Sequence, residues 1–188
     1  MVNVLLSPLA YLTIKHEAKL RADWAYPVLI SFLCTVLIFW LGRPGSVSGQ
    51  EGLLSKLLMV SSVLPGFYIA ALAAIATFNR PDIDELMPEP TPKMTVKLRG
   101  KDNEIRLTRR RFLSHLFAFL CLESLVLMIV CVFSGIIAKG AVALFSALAA
   151  HVATMIFVFL LLIVFWQMVC VTCLGLYYLG DRLHRPAN

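Results

Sequence analysis

Two ionisable side chains, Glu123 and His151, lie deep inside apolar runs and are the first candidates for chemistry. Glu123 stands 11 residues into the run that opens at Phe112. In a helix that is about 16 Å inward, near a bilayer midplane. His151 stands 10 residues into the run that opens at Ala141, about 15 Å from the opposite boundary. A tight turn at Ala138 to Gly140 would join these runs, so the carboxyl and the imidazole are expected at similar depth, close enough to share a hydrogen bond. A charge at such depth costs about 2.5–3.5 kcal/mol even on a lenient insertion scale, so Glu123 should face other helices. Three readings stay open: polar glue between helices, a proton or ion path, and catalysis, for which no nucleophile or metal set accompanies the pair.

Cys170-Val171-Thr172-Cys173 has the spacing of a metal or redox pair. A structural zinc site needs four ligands, and a redox pair needs an accessible, electropositive setting. These two cysteines stand among Met168, Val169, Leu174 and Leu176, so apolar packing competes with reversible acylation or redox use. The chain has 5 cysteines, all in apolar stretches. The odd count argues against a disulfide framework. Neither metal nor cofactor is expected.

Residues 79–111 form the only sizeable polar block. Pro88, Pro90 and Pro92 read as a stiff extended spacer. Thr95 to Arg99 and Glu104 to Leu107 alternate around Gly100-Lys101-Asp102-Asn103, the pattern of a β-hairpin. Val96, Leu98, Ile105 and Leu107 would share its apolar face. A lone hairpin is marginal in water, so that face must cover something: a second copy, the fourth helix or another protein. Thr108 is placed to cap the following helix. Arg109, Arg110 and Arg111 would then sit among headgroups, each gaining about 1 kcal/mol from anionic lipid. The block reads either as an interaction surface or as a short ordered loop without partners.

The elements that must position these residues are helices. Of 188 residues, 60% are hydrophobic and only 15% charged, against about 45–50% and 25% in ordinary soluble domains. Apolar runs cover Ala25 to Leu41, Leu57 to Phe78, Phe112 to Ile137 and Ala141 to Leu179. Trp24, Tyr26 and Trp40 are interfacial anchors of the first. Pro65-Gly66, after Ser61-Ser62, predicts a kink in the second, with the hydroxyls answering freed carbonyls. Gly66, Ala70 and Ala74, then Ala143 and Ala147, then Ser146, Ala150 and Thr154, follow the small-residue spacing of close helix contacts. The fourth run has 39 residues, about 58 Å of helix where about 30 Å suffices. Its end should project past the bilayer and bundle with other copies through Leu176 and Leu179, presenting Arg182, His184 and Arg185 as a basic ring. Val4, Leu5, Leu9, Leu12 and Leu20, with Lys15, Lys19 and Arg21, read as an amphipathic segment lying along the membrane surface.

The fold class is thus an all-α membrane protein of four transmembrane helices, with an overlong fourth helix and a small cytoplasmic β-hairpin insertion. Its parts are an interfacial segment (1–24), the first two spans (25–78), the spacer and hairpin (79–111), and the last two spans with their extension (112–188). Lys and Arg number 14 on the side of the termini and the insertion and 3 on the other. The positive-inside rule therefore makes both termini cytoplasmic. The other side holds only a flexible loop, Gly42 to Gly52, and a turn, which excludes an outer ligand-binding domain. The net charge of +6 reads as topology signal and anionic lipid contact rather than direct nucleic-acid binding.

Four spans, inward termini and one hairpin insertion, carried here by Asn79-Arg80-Pro81-Asp82-Ile83-Asp84-Glu85-Leu86, by Thr95 to Leu107 and by Arg109-Arg110-Arg111, resemble the membrane component of Kiwa-type bacterial anti-phage defence systems. The likeness is one of organisation over the whole chain and carries over no individual residue. It implies an oligomeric inner-membrane sensor that works with a cytoplasmic, DNA-binding effector. The expected function is a non-enzymatic oligomeric membrane sensor or scaffold that recruits or regulates a cytoplasmic effector protein. The alternative is a small ion channel or proton-coupled transporter using Glu123 and His151.

Overall fold

A computed structural model of the chain describes residues 7–15, 17–42, 47, 49, 51–77, 81–87, 91–98, 101–143 and 146–180. Four long helices dominate them: α1 (Tyr26–Leu41), α2 (Leu53–Thr77), α3 (Arg109–Ala143) and α4 (Ala147–Gly180). With the turn that leads into α1, each is long and apolar enough to cross a membrane. Two strands, β1 (Lys93–Leu98) and β2 (Lys101–Arg106), make one antiparallel hairpin.

The helices lie in the order α1, α4, α3, α2. Both α2 and α4 pack on α3, and α1 packs on α4. Gly175 explains how α4 approaches α3 so closely: a Cβ there would stand 2.9 Å from Leu116 Cδ2 and 3.1 Å from Phe117 Cζ. The small-residue pattern had singled out other positions. Gly66 has nothing within 4 Å of a built Cβ, and Gly66 and Ala70 face outward.

Both later helices depart from their expected bounds. The turn expected at Ala138 to Gly140 does not form, and α3 runs on to Ala143. A helix-interior glycine costs only about 1 kcal/mol relative to alanine, too little for Gly140 alone to end a helix. The overlong element is therefore a pair, α3 with 35 residues and α4 with 34. The extension of α4 meets the opening turns of α3: Tyr178 packs edge-on against Phe112 at 5.3 Å. Leu179 also packs against the core, so of the two residues expected between copies only Leu176 is exposed. Arg182, His184 and Arg185 lie outside the described residues.

Pro65 lies inside α2, and the helix continues through it. The Ser61 and Ser62 hydroxyls donate to the Leu58 and Met59 carbonyls, one turn ahead of the Ser61 carbonyl that Pro65 leaves without a donor. In the loop before α2, the Gly52 amide donates to the Gly49 carbonyl and the Leu54 amide to the Val47 carbonyl. A side chain at Gly52 would collide with that backbone, 2.7 Å from the Val47 carbonyl oxygen.

The hairpin pairs Leu98 with Lys101. Residues 101–103 therefore join the ladder, and the connection moves from the expected 100–103 to 99 and 100, which lie outside the described residues. Two-residue connections match strand twist best. The register places Val96, Leu98, Ile105 and Leu107 on one face, together with Met94. The side chains of Val96 and Leu98 lie outside the described residues. Ile105 is half-buried, whereas Met94 and Leu107 are buried with Tyr11, Ile14, Ile83, Met87 and Phe112. The face is thus closed in part by the chain's own N-terminal segment and the root of α3.

Backbone bonds stitch the hairpin in place on both edges. The Lys15 amide donates to the Lys93 carbonyl on one side. On the other, the Met87 amide donates to the Leu107 carbonyl and the Arg109 amide to the Glu85 carbonyl. Pro88 and Pro90 of the expected spacer lie outside the described residues. Pro92 ends the ladder by accepting from the Leu107 amide. We call residues 81–87 and 91–109, with the N-terminal segment, the cap.

Candidate functional site

The N-terminal segment, expected as an amphipathic segment along the membrane surface, is only partly helical. Ser7–Thr13 is a 3-10 helix that packs on α3, and Val4 and Leu5 lie outside the described residues. Leu9, Leu12 and Leu20 face outward. Tyr11 points inward instead, fully buried, stacked on Phe119 at 5.0 Å and tilted against Phe112 at 6.3 Å. A short helical turn, Glu17–Leu20, then passes through a π-helical turn, Arg21–Ala25, directly into α1. The extra residue of a π turn rotates the helix face, and such turns recur at functional sites.

Here the rotated face carries a carboxylate. Asp23 is 1% exposed and Lys19 only 7%. They stand at i and i+4, with Lys19 Nζ 2.6 Å from Asp23 Oδ2. The Tyr11 hydroxyl donates to Asp23 Oδ1 at 3.0 Å. The Lys19 ammonium also lies over the Tyr11 ring, 4.2 Å from its centroid, a cation–π contact. Burial and the Asp23 carboxylate push the Tyr11 phenol well above its ordinary range, so it remains a hydrogen-bond donor.

Glu123 joins this cluster. It is 8% exposed and within electrostatic reach of Asp23 and Tyr11. Its Oε2 is buried with no hydrogen-bond partner. Counting back along α4 from the Gly175–Leu116 contact brings Glu123 level with Met168, beside Gln167, whose buried Nε2 also has no hydrogen-bond partner. Ser124, next in the chain, is fully buried and bonds the Cys121 carbonyl. Glu123 is 14 residues from the start of α3 and 20 from its end. It therefore lies close to the middle of the helix, on the cap side.

His151 belongs elsewhere. The later turn leaves it four residues into α4, where it is exposed and meets Phe39 edge-on at 5.2 Å. By the same count it lies 17 residues, about 25 Å, from the level of Glu123. The expected Glu123–His151 pair is not formed. Asp23, already paired with Lys19, lies within electrostatic reach of Glu123 instead. Their signal in the sequence was the i, i+4 pair immediately ahead of the first apolar run.

The three arginines divide. Arg110 grips Asp84 with both arms of its fork, Nε to Oδ1 at 2.7 Å and Nη2 to Oδ2 at 2.9 Å. Its Nη1 donates to the Ile75 carbonyl at 2.7 Å, in the last turn of α2. That contact satisfies a carbonyl which a helix end leaves open. The same pairing holds the Asp84 carboxyl below the usual carboxylate range. Arg109 lies 3.8 Å from Glu85. Of the three only Arg111 is exposed, and its amide donates to the hydroxyl of Thr108, the expected N-cap, at 3.4 Å.

Cys170 and Cys173 are free thiols. Thr172 between them shares a 2.7 Å hydrogen bond with the Tyr68 hydroxyl, tying α4 to α2. Among the described residues, no three His, Cys, Asp or Glu side chains gather as metal ligands would. No protein-family model matches the chain, and neither a curated protein nor a solved structure matches it.

Proposed function

We propose that this chain is a multi-pass protein of the plasma membrane, with its cap and both termini in the cytoplasm. It acts without catalysis, as a sensor or scaffold that passes the state of its helices to a cytoplasmic effector protein. The observation that carries this reading is the continuity of the cap with the bundle. The hairpin, the N-terminal segment and the root of α3 share backbone hydrogen bonds, and Arg110 bonds α2 to the same unit. A shift of α2 against α3 therefore displaces the only folded polar body among the described residues.

Insertion is supported by the large apolar side chains exposed on all four helices, among them Phe32, Val63, Ile129 and Ile156. Such a surface is stable in hydrocarbon and not in water. The exposure of Arg111 supports a contact with anionic headgroups. Leu176 and Tyr177, exposed on the extension of α4, offer an apolar surface for homo-oligomer contacts. A part in bacterial anti-phage defence, at the inner membrane, rests on the resemblance of organisation alone.

The orientation test is labelling of intact cells with a membrane-impermeant thiol reagent. Ser48→Cys should be modified and Lys101→Cys protected; the reverse pattern would sink the proposal. For the effector, a photo-crosslinking residue at Glu104 should capture one defined cytoplasmic protein in the native host. The same residue at Ser48 should not.

A further inference from the structure

We propose that Glu123 and Asp23 form a buried binding site for one small monovalent cation, a proton or a sodium ion. The inference concerns the chain alone and does not rest on the effector reading. Its basis is charge balance in a closed space. The cluster contains two carboxylates, Asp23 and Glu123, and one ammonium, Lys19, all at least nine-tenths buried. Lys19 is committed to Asp23, at 2.6 Å. That leaves Glu123 without a counter-charge, and its buried Oε2 has no hydrogen-bond partner among the described residues.

The other titratable groups that face this layer supply no positive charge. Tyr11 contributes from the N-terminal segment and Tyr68 from α2, both phenols within electrostatic reach of Glu123. From α4, the Cys170 thiol is within reach of Asp23 and Tyr178 within reach of Tyr11. On α3 itself the Cys121 thiol is within reach of Tyr68. A net negative charge in a buried, low-dielectric setting is too costly to persist, so one further cation occupies the site. A proton would bond to Glu123 itself. A sodium ion would bridge Glu123 to Asp23, taking oxygen ligands as hard cations do.

Occupancy also governs the cap. When the cation leaves, the bare Glu123 carboxylate competes with Asp23 for Lys19. The Lys19–Asp23 pair and the Tyr11 bond to Asp23 hold the N-terminal segment down, and that segment carries the Lys15 bond to the hairpin.

The test uses the full chain in lipid nanodiscs, unfolded at a series of pH values in sodium chloride or in choline chloride of equal ionic strength. Near half-occupancy, a tenfold change in cation activity should change the folding equilibrium about threefold in the wild type, rising toward tenfold as the site saturates. Glu123→Gln should lose that dependence. Loss of stability with rising pH that sodium does not restore identifies a proton. Restoration by sodium at fixed pH identifies the metal ion. Identical pH and sodium profiles in wild type and Glu123→Gln overturn the site. Should Glu123→Gln fail to fold, infrared spectra of wild type with carbon-13 glutamate provide the reading. A protonated glutamic acid carbonyl band at neutral pH, or a carboxylate band that moves with sodium, supports the site, and the absence of both overturns it.

Discussion

The two ends of this helix bundle are built from different materials. The cap end holds a buried ion pair, Lys19 on Asp23, and a forked one, Arg110 on Asp84, which also bonds the Ile75 carbonyl. At the far end, the described ion pair and the described histidine are exposed. The Lys56–Glu51 pair is on the surface, with side chains 58% and 88% exposed, and His151 touches only the edge of Phe39. Exposed ion pairs stabilise little because water screens them, whereas breaking a buried pair leaves a charge stranded. The difference teaches that, among the described residues, the buried and forked ion pairs are concentrated at one end.

The largest expected effect follows directly. Asp23→Ala strands the Lys19 ammonium and removes the acceptor of Tyr11, and should cost about 3–5 kcal/mol of unfolding free energy. At the far end His151→Ala should stay within about 0.5 kcal/mol. Denaturant unfolding in a mild detergent compares the two. The double variant Lys19→Met with Asp23→Leu should be more stable than Asp23→Ala, since it strands no charge. Equal effects at the two ends would erase the contrast.

Next in size is the close approach of α4 to α3 at the cap end. Gly175→Leu must displace Leu116 and Phe117 and should cost about 1–3 kcal/mol. Gly66→Ala fills open space in a helix and should be neutral or stabilising by up to about 1 kcal/mol. Thermal unfolding of both variants checks the sign of the difference.

Arg110→Lys keeps the charge but loses the fork and should speed amide exchange at Met87 and Arg109, which bond across the cap. Acid should act similarly. The folded-state Asp84 carboxyl titrates below its unfolded value. Its contribution is therefore present above the unfolded value and is lost as pH falls through the folded one. Exchange at these amides, corrected for intrinsic rates, should rise in that window in wild type. An Asp84→Asn variant should show no such rise. The smallest effect belongs to Lys15→Ala. Its pair with Glu104 is exposed and 3.4 Å long, so stability should change by no more than about 0.5 kcal/mol.

Much of the fold was legible from periodicity. Four apolar runs became four helices, alternation around Gly100 became a hairpin, and Thr108 became an N-cap. What failed was whatever depended on contact between distant segments. Lys139-Gly140 looked like a turn because a charge and a glycine interrupt an apolar run, yet α3 passes through both. That six-residue displacement moved His151 away from Glu123. The arginine run looked like a headgroup anchor because nothing in the sequence shows that Asp84 and the end of α2 fold back onto it. Lys19 read as a charge at the membrane surface and Asp23 was not singled out, because their burial depends on a π turn and on Tyr11, twelve residues before Asp23. Burial of a charge is decided by what closes over it, and that is a property of the tertiary structure.

The central claim is that the buried Lys19–Asp23 pair holds the cap to the bundle as one unit. Amide hydrogen exchange at Lys15 in lipid nanodiscs, in wild type and in Asp23→Ala, measures this most directly, because that amide bonds the hairpin at Lys93. The account predicts strong protection in wild type and its loss in Asp23→Ala, with amides in the middle of α3 unchanged. Equal protection of Lys15 in both proteins would contradict it.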